Sequence, residues 1–337
     1  MSSMKKSALK QYNAVQNSIG FFHLSDRGKI LVTGPDRTVF LHSMFSNEVK
    51  KLPEWEGRYG TFLTARGKMI SDFFYYKLPS SIVVDIRKDL LKKTSDTLKK
   101  FIVMDELQLK DISNQKDHFS LQGPESERFF KALFKSQVPS FECEMVEFMW
   151  QEVPLWGIRK NDLSELGFEV IVPWNISSSF REFVLEKGRS WGLVEVDFEV
   201  RNLLRMEAGI PWYGVDMDES RYPMEARLEK AISFTKGCYI GQEVVAKATH
   251  VGGVRNLLIR LKVHGHRTPK EKCPVYINER KIGFITSAVF SISLGCPIAF
   301  AYLRRSFAHT GKFCQIEICE GKTVSAEIVE NFTSTIT

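Results

Sequence analysis

Lys29-Ile-Leu-Val-Thr-Gly-Pro-Asp-Arg-Thr-Val-Phe-Leu-His-Ser-Met-Phe45 returns further along the chain as His118-Phe-Ser-Leu-Gln-Gly-Pro-Glu-Ser-Glu-Arg-Phe-Phe-Lys-Ala-Leu-Phe134. Gly34, Pro35, Asp36, Phe40 and Phe45 recur as Gly123, Pro124, Glu125, Phe129 and Phe134, at a constant offset of 89 residues. Each copy reads as a strand, a Gly-Pro break, and a helix opening with proline and an acid. Proline suits that position because no backbone N–H is needed there, and the acid complements the helix dipole. The second halves also correspond. Ser81–Ile86 is a strand ahead of a basic amphipathic helix, and Gly167–Val172 is a strand ahead of a helix around Ser179–Lys187. Two α+β units of similar build are the economical reading.

Downstream the pattern changes. A helix is predicted over Phe198–Ala208, closed by Gly209, and an irregular stretch follows from Ile210 to Pro223. From Arg255 onward, short alternating segments fall near 256–263, 274–278, 282–290, 297–304, 312–319 and 322–329, separated by turn residues. Six strands at near-regular spacing predict a small antiparallel barrel. The expected domains are 1–115, 116–254 and 255–337.

The 337 residues are 43% hydrophobic and 26% charged, an ordinary globular balance. The net charge of +7 is spread along the chain. Its densest run, Arg87–Lys100, carries Leu90, Leu91, Thr94, Leu98 and Phe101 at helical spacing, which reads as a solvated basic face. Such dispersion argues against a nucleic-acid partner. The first residues carry no long apolar run, and no stretch of 18 apolar residues follows, so neither a secretory signal nor a membrane span is expected. Six cysteines without a CxxC pair exclude a zinc site or disulfide framework and fit a reducing cytoplasm. No metal is expected. The chain also lacks GxGxxG, Walker A, HExxH and GxSxG motifs.

The sharpest chemical feature is Lys236-Gly-Cys-Tyr-Ile-Gly-Gln-Glu243. A cysteine at the start of a helix, two residues from a lysine, is placed to form a thiolate. The plain alternative is a small buried residue.

The octapeptide, with Lys236, Gly237, Cys238, Tyr239, Gly241, Gln242 and Glu243 in place, resembles the signature of the YgfZ family of folate-binding proteins. That family belongs to the glycine-cleavage T-protein superfamily and includes iron–sulfur assembly factors. Two further segments carry the resemblance, Arg205-Met-Glu-Ala-Gly209 and Gly67-Lys-Met-Ile-Ser-Asp72. It implies two ferredoxin-like units and a C-terminal barrel in a cloverleaf around tetrahydrofolate or a derivative. It also implies folate contacts from Tyr59, Asp72, Glu169 (in Leu166-Gly-Phe-Glu169) and Arg205, with Cys238 as the chemical residue. The implied function is accessory: assembly or repair of iron–sulfur clusters, mainly [4Fe-4S], with assembly proteins or client enzymes as partners. Two alternatives stand beside it, an aminomethyltransferase and a non-catalytic RNA- or protein-binding adaptor. Ser71 replaces the first acid of the T-protein aspartate pair, Lys68 the second glycine, and Thr64-Ala65 the usual Thr-Asn pair. These departures weigh against aminomethyl transfer.

Overall fold

The computed structural model describes residues 2–135, 138–163, 166–250 and 253–330. The chain packs as two compact units.

The first unit takes Met1–Phe62, Asp72–Arg201 and Thr235–Tyr239, and both copies of the repeat lie in it. Each copy builds its own sheet. The five-stranded sheet runs in the order Gly57–Leu63, Met69–Lys77, Ser81–Arg87, Arg27–Thr33 and Gln108–Asp111. The six-stranded sheet runs Val194–Glu195, Gly20–His23, Lys116–Gln122, Gly167–Pro173, Val153–Arg159 and Met145–Trp150. Gly20–His23 precedes the first copy in sequence, yet it pairs with the second copy's strand Lys116–Gln122. At four residues it is too short to announce itself by alternation.

The Gly-Pro breaks have a common cause. Gly34 has φ 104° and Gly123 φ 134°, where a side chain is strained. A Cβ would also stand 2.2 Å from the Glu106 carbonyl oxygen at Gly34 and 2.3 Å from that of Ser18 at Gly123. The helices Arg37–Met44 and Ser126–Phe134 follow directly. The expected acid stands at each helix start, but Asp36 does not cap its own helix: its carboxylate accepts the Glu106 N–H at 2.8 Å.

Phe129 and Phe130 anchor the second copy's core with Phe119, Phe168 and Phe180, all at most 1% exposed. The basic helix, Lys88–Lys99, buries Leu90, Leu91, Thr94 and Leu98 as its pattern predicts. Phe101 departs from that pattern and is 43% exposed, because the helix has ended before it.

The second unit takes Leu63–Ser71, Asn202–Phe234 and Ile240–Thr337. Its centre is a closed six-stranded barrel in the order Asn256–Val263, Pro297–Arg304, Arg280–Phe290, Pro274–Ile277, Phe313–Cys319 and Lys322–Val329. Ile259, Leu261, Val275, Ile285, Leu303, Ile316 and Ile328 fill it. Closure removes the unpaired sheet edges. Met206 packs in a separate cluster with Leu258, Ile298, Phe300 and Tyr302. Among the described residues, no helix is long and apolar enough to cross a membrane.

Candidate functional site

Tyr59 and Asp72 stand on neighbouring strands, and the Tyr59 hydroxyl donates to Asp72 Oδ2 at 2.7 Å. Both residues keep an accessible edge. The Tyr59 ring packs on Phe74 with centroids 4.9 Å apart, and the Lys160 ammonium lies 3.3 Å from the Phe74 centroid. Burial raises the Asp72 carboxyl above its usual range, and the Tyr59 hydrogen bond offsets only part of that. An acid so placed can hold a proton nearer neutrality than a surface aspartate.

In the same unit a buried row of charges runs across the two copies. Arg27 donates from Nη2 to Asp85 Oδ2 at 2.7 Å. Lys29 Nζ stands 2.9 Å from Asp85 Oδ1 and 3.0 Å from His118 Nδ1. His118 Nε2 then lies 3.1 Å from Glu169 Oε2. Neither of these last two atoms makes a well-directed hydrogen bond, although Glu169 is 6% exposed. Burial would raise the Glu169 carboxyl, but His118 and Lys160 hold it below its ordinary value. Arg27 and Lys29 hold Asp85 far below the carboxylate range against the same burial. The Arg27 charge also reaches Tyr59 and Asp72, so the two clusters share a field.

Donor atoms of Asp85, His118 and Glu169 lie within 4.8 Å of one another, close enough for a metal. The Lys29 ammonium stands between Asp85 and His118 and pairs with Asp85 there.

Arg205 is in the second unit, and its surroundings differ. It is 1% exposed. Its Nε donates to Asn202 Oδ1 at 2.8 Å and its Nη1 to the Ile210 carbonyl at 3.1 Å and to Asp216 Oδ2. The guanidinium stacks 4.5 Å from the Trp212 centroid. Asp216 accepts further from Thr286 and Ser287 of the barrel. Glu207 pairs instead with Ser291 and Ser293.

The octapeptide divides in two. Lys236, in the first unit, sends its ammonium into the carbonyls of His42, Phe45 and Asn47 at 2.6, 2.6 and 2.9 Å. Burial lowers that amine to about 8. Cys238 is exposed, while Tyr239 is buried, its hydroxyl pushed up to about 12. The expected helix begins only at Gln242, four residues past the thiol. Cys238 therefore lies outside the first helical turn, and the lysine's charge is committed to anchoring the segment. Glu243 is exposed and pairs with Lys247 at 2.7 Å. In the second unit, Ser71 is fully buried with no partner for its Oγ.

The structure thus brings Tyr59, Asp72 and Glu169 into one electrostatic neighbourhood of the first unit. Sequence reasoning missed Lys29, Asp85, His118 and Lys160. The signal for Lys29, Asp85 and His118 was a titratable residue inside a strand with buried neighbours, at matching places in the duplication for Lys29 and His118.

The GCVT N-terminal domain matches residues 1–236, and the glycine cleavage T-protein C-terminal barrel domain matches 256–333. The chain belongs to the glycine cleavage T-protein family. An aminomethyltransferase of Caldanaerobacter subterraneus subsp. tengcongensis is 26% identical over 96% of this chain and 87% of its own length. One of Chlorobium phaeobacteroides is 26% identical over 92% and 86%. The crystal structure of the glycine cleavage system aminomethyltransferase T from Bartonella henselae covers 97% of this chain and 89% of its own, at TM-score 0.87 and 21% identity. The fold expected from the repeat and the barrel strands is thereby established for this member of the family.

Proposed function

We propose that the protein binds tetrahydrofolate, or a derivative, in the first unit, with Tyr59, Asp72 and Glu169 as its contacts. The observation that carries this reading is the Glu169 carboxylate, 6% exposed with no well-directed hydrogen bond at Oε2, in the same unit as the Tyr59–Asp72 pair and within reach of the same Arg27 charge. A buried carboxylate oxygen without a well-directed donor is unfavourable unless a ligand supplies one. The edge of a pterin is a row of N–H donors, which an ionised carboxylate accepts strongly. The Tyr59 and Phe74 rings, tilted 34° to each other, supply aromatic surface in the same unit. A reduced folate supplies nitrogens that carry a one-carbon unit. Asp72, with its raised pKa, is suited to hold or take up a proton there. Arg205, with Nε and Nη1 engaged in its own unit, is assigned to support of the fold.

For the reaction, aminomethyl transfer draws support from relatives of that name that align over nearly the whole chain. The test is release of ammonia from an aminomethylated lipoyl carrier on addition of tetrahydrofolate. Release that Asp72→Asn abolishes is expected, and no release from folate-bound protein would overturn transfer.

A second reading is favoured by the octapeptide, whose anchored lysine holds out an exposed thiol. Here the protein is a folate-binding accessory in assembly or repair of iron–sulfur clusters, mainly [4Fe-4S], acting in the cytoplasm on client enzymes through Cys238. A deletion strain carrying Cys238→Ala would then show depressed iron–sulfur enzyme activity. Full restoration by that variant would remove the reading.

A further inference from the structure

Lys29 and His118 occupy the same place in the duplicated unit, 89 residues apart, and their side chains meet at 3.0 Å. Lys29 lies opposite Asp85 in its sheet, and His118 lies opposite Ile171 in the other. Glu169, two residues before Ile171, shares its face because strand side chains alternate. The duplication thus sets a lysine–acid pair against a histidine–acid pair.

The chemistry of the contact fixes a proton. Burial lowers the Lys29 amine and Asp85, 2.9 Å away, opposes that; the ammonium so paired has donors and no acceptor, so the ring nitrogen facing it accepts. The ring's proton is then on Nε2, the atom 3.1 Å from Glu169 Oε2. A doubly protonated ring would set an N–H against the ammonium at 3.0 Å. We propose that Lys29 and His118 are positioning residues for Glu169: the lysine fixes the ring as its neutral Nε2–H form, and the ring holds the carboxylate ready to accept from a pterin edge.

This inference rests on the folate reading above and adds two residues that do not themselves touch the ligand. The surrounding groups leave the role to them. Arg27 and Lys29, from Arg27–Thr33, neutralise Asp85, from Ser81–Arg87. Lys160, which follows Val153–Arg159, is paired with Asp162 at 2.8 Å and Glu142 at 3.3 Å, and its charge also reaches Glu169. Tyr76, from Met69–Lys77, is pushed well above its usual range by burial, and the Cys143 thiol is pushed up to about 12. Both stay uncharged at neutral pH.

The test follows affinity for 5-formyltetrahydrofolate, a stable reduced folate, from pH 5.5 to 8. Wild type should hold a nearly flat profile, changing by less than about threefold. In His118→Phe, burial acts on Glu169 unopposed by the ring, so affinity should fall toward about tenfold per pH unit on the acid side. His118→Gln, whose amide N–H can replace Nε2–H, should restore the flat profile, and Lys29→Met should lie between. Nitrogen NMR of the histidine rings at neutral pH should show the His118 proton on Nε2. A His118→Phe profile parallel to wild type, with Glu169→Gln still weakening binding, would overturn the relay and leave the folate reading standing. A His118 imidazolium or Nδ1–H tautomer at neutral pH would overturn it even if the phenylalanine variant does not fold. No binding by wild type at any pH would overturn both.

Discussion

Two buried arrangements of charge, one in each unit, show how differently a fold can treat its ions. Around Arg205 the partners close in: Asn202, the Ile210 carbonyl and Asp216 take its donors, Trp212 stacks on it, and Thr286 and Ser287 complete Asp216. Along Arg27, Asp85, Lys29, His118 and Glu169 the row is paired at one end and poorly satisfied at the other. Both are desolvated, so the difference is not burial. A satisfied buried ion pair fixes structure. A buried polar atom without a good partner is an unfavourable feature that a binding site retains because the ligand completes it.

The comparison is most exposed to Arg205→Met. That change leaves Asp216 charged and buried, and should lower stability by about 3–5 kcal/mol in a urea titration. Folate affinity per folded molecule should stay near wild type. A loss under about 1 kcal/mol, or a large specific loss of affinity, would break the contrast between the units.

Asp72→Asn should act in the opposite sense. The folded carboxyl has a raised pKa, so the folded protein binds more protons than the unfolded chain, and stability falls as pH rises from about 3.8 through the folded value. Removing the charge should therefore raise the melting temperature at pH 7 by about 2–4 °C and have little effect near pH 3. Ligand handling should be impaired at the same time. Equal stability of the two proteins across the pH range would mean that Asp72 is not disfavoured as an anion in its setting.

Cys238→Ala should give the smallest effect on stability, within about 0.5 kcal/mol, because the thiol is exposed. Lys236, not Cys238, ties that segment to the carbonyls at the end of Arg37–Met44. A large loss of stability on Cys238→Ala would give the cysteine a structural part.

Much of the fold was legible because it rests on repetition and alternation. The 89-residue offset disclosed the duplication, Gly34 and Gly123 marked equivalent turns, and the six barrel strands followed from period-two patterning. The joining of Gly20–His23 to the second copy's sheet was not legible, since a four-residue strand has no period to read. Within the candidate site, Tyr59 and Asp72 were each legible through the family resemblance, but their hydrogen bond is read only from the folded chain. Lys29 and His118 could not, because a lysine in a strand ordinarily points to water and only the folded chain brings two strands' charges together. The start of the helix after Cys238 was misplaced by four residues, since Gly237 and Gly241 loosen the segment that a continuous motif seemed to make helical.

The central claim is that the unmet carboxylate of Glu169 is the ligand's anchor. Calorimetric titration with tetrahydrofolate, wild type beside Glu169→Gln at pH 7.5, tests it most directly. The account predicts micromolar binding by wild type and a dissociation constant raised by at least about 30-fold in the variant, the effect of losing about 2 kcal/mol from a charge-assisted hydrogen bond. Equal binding by the two proteins would contradict it.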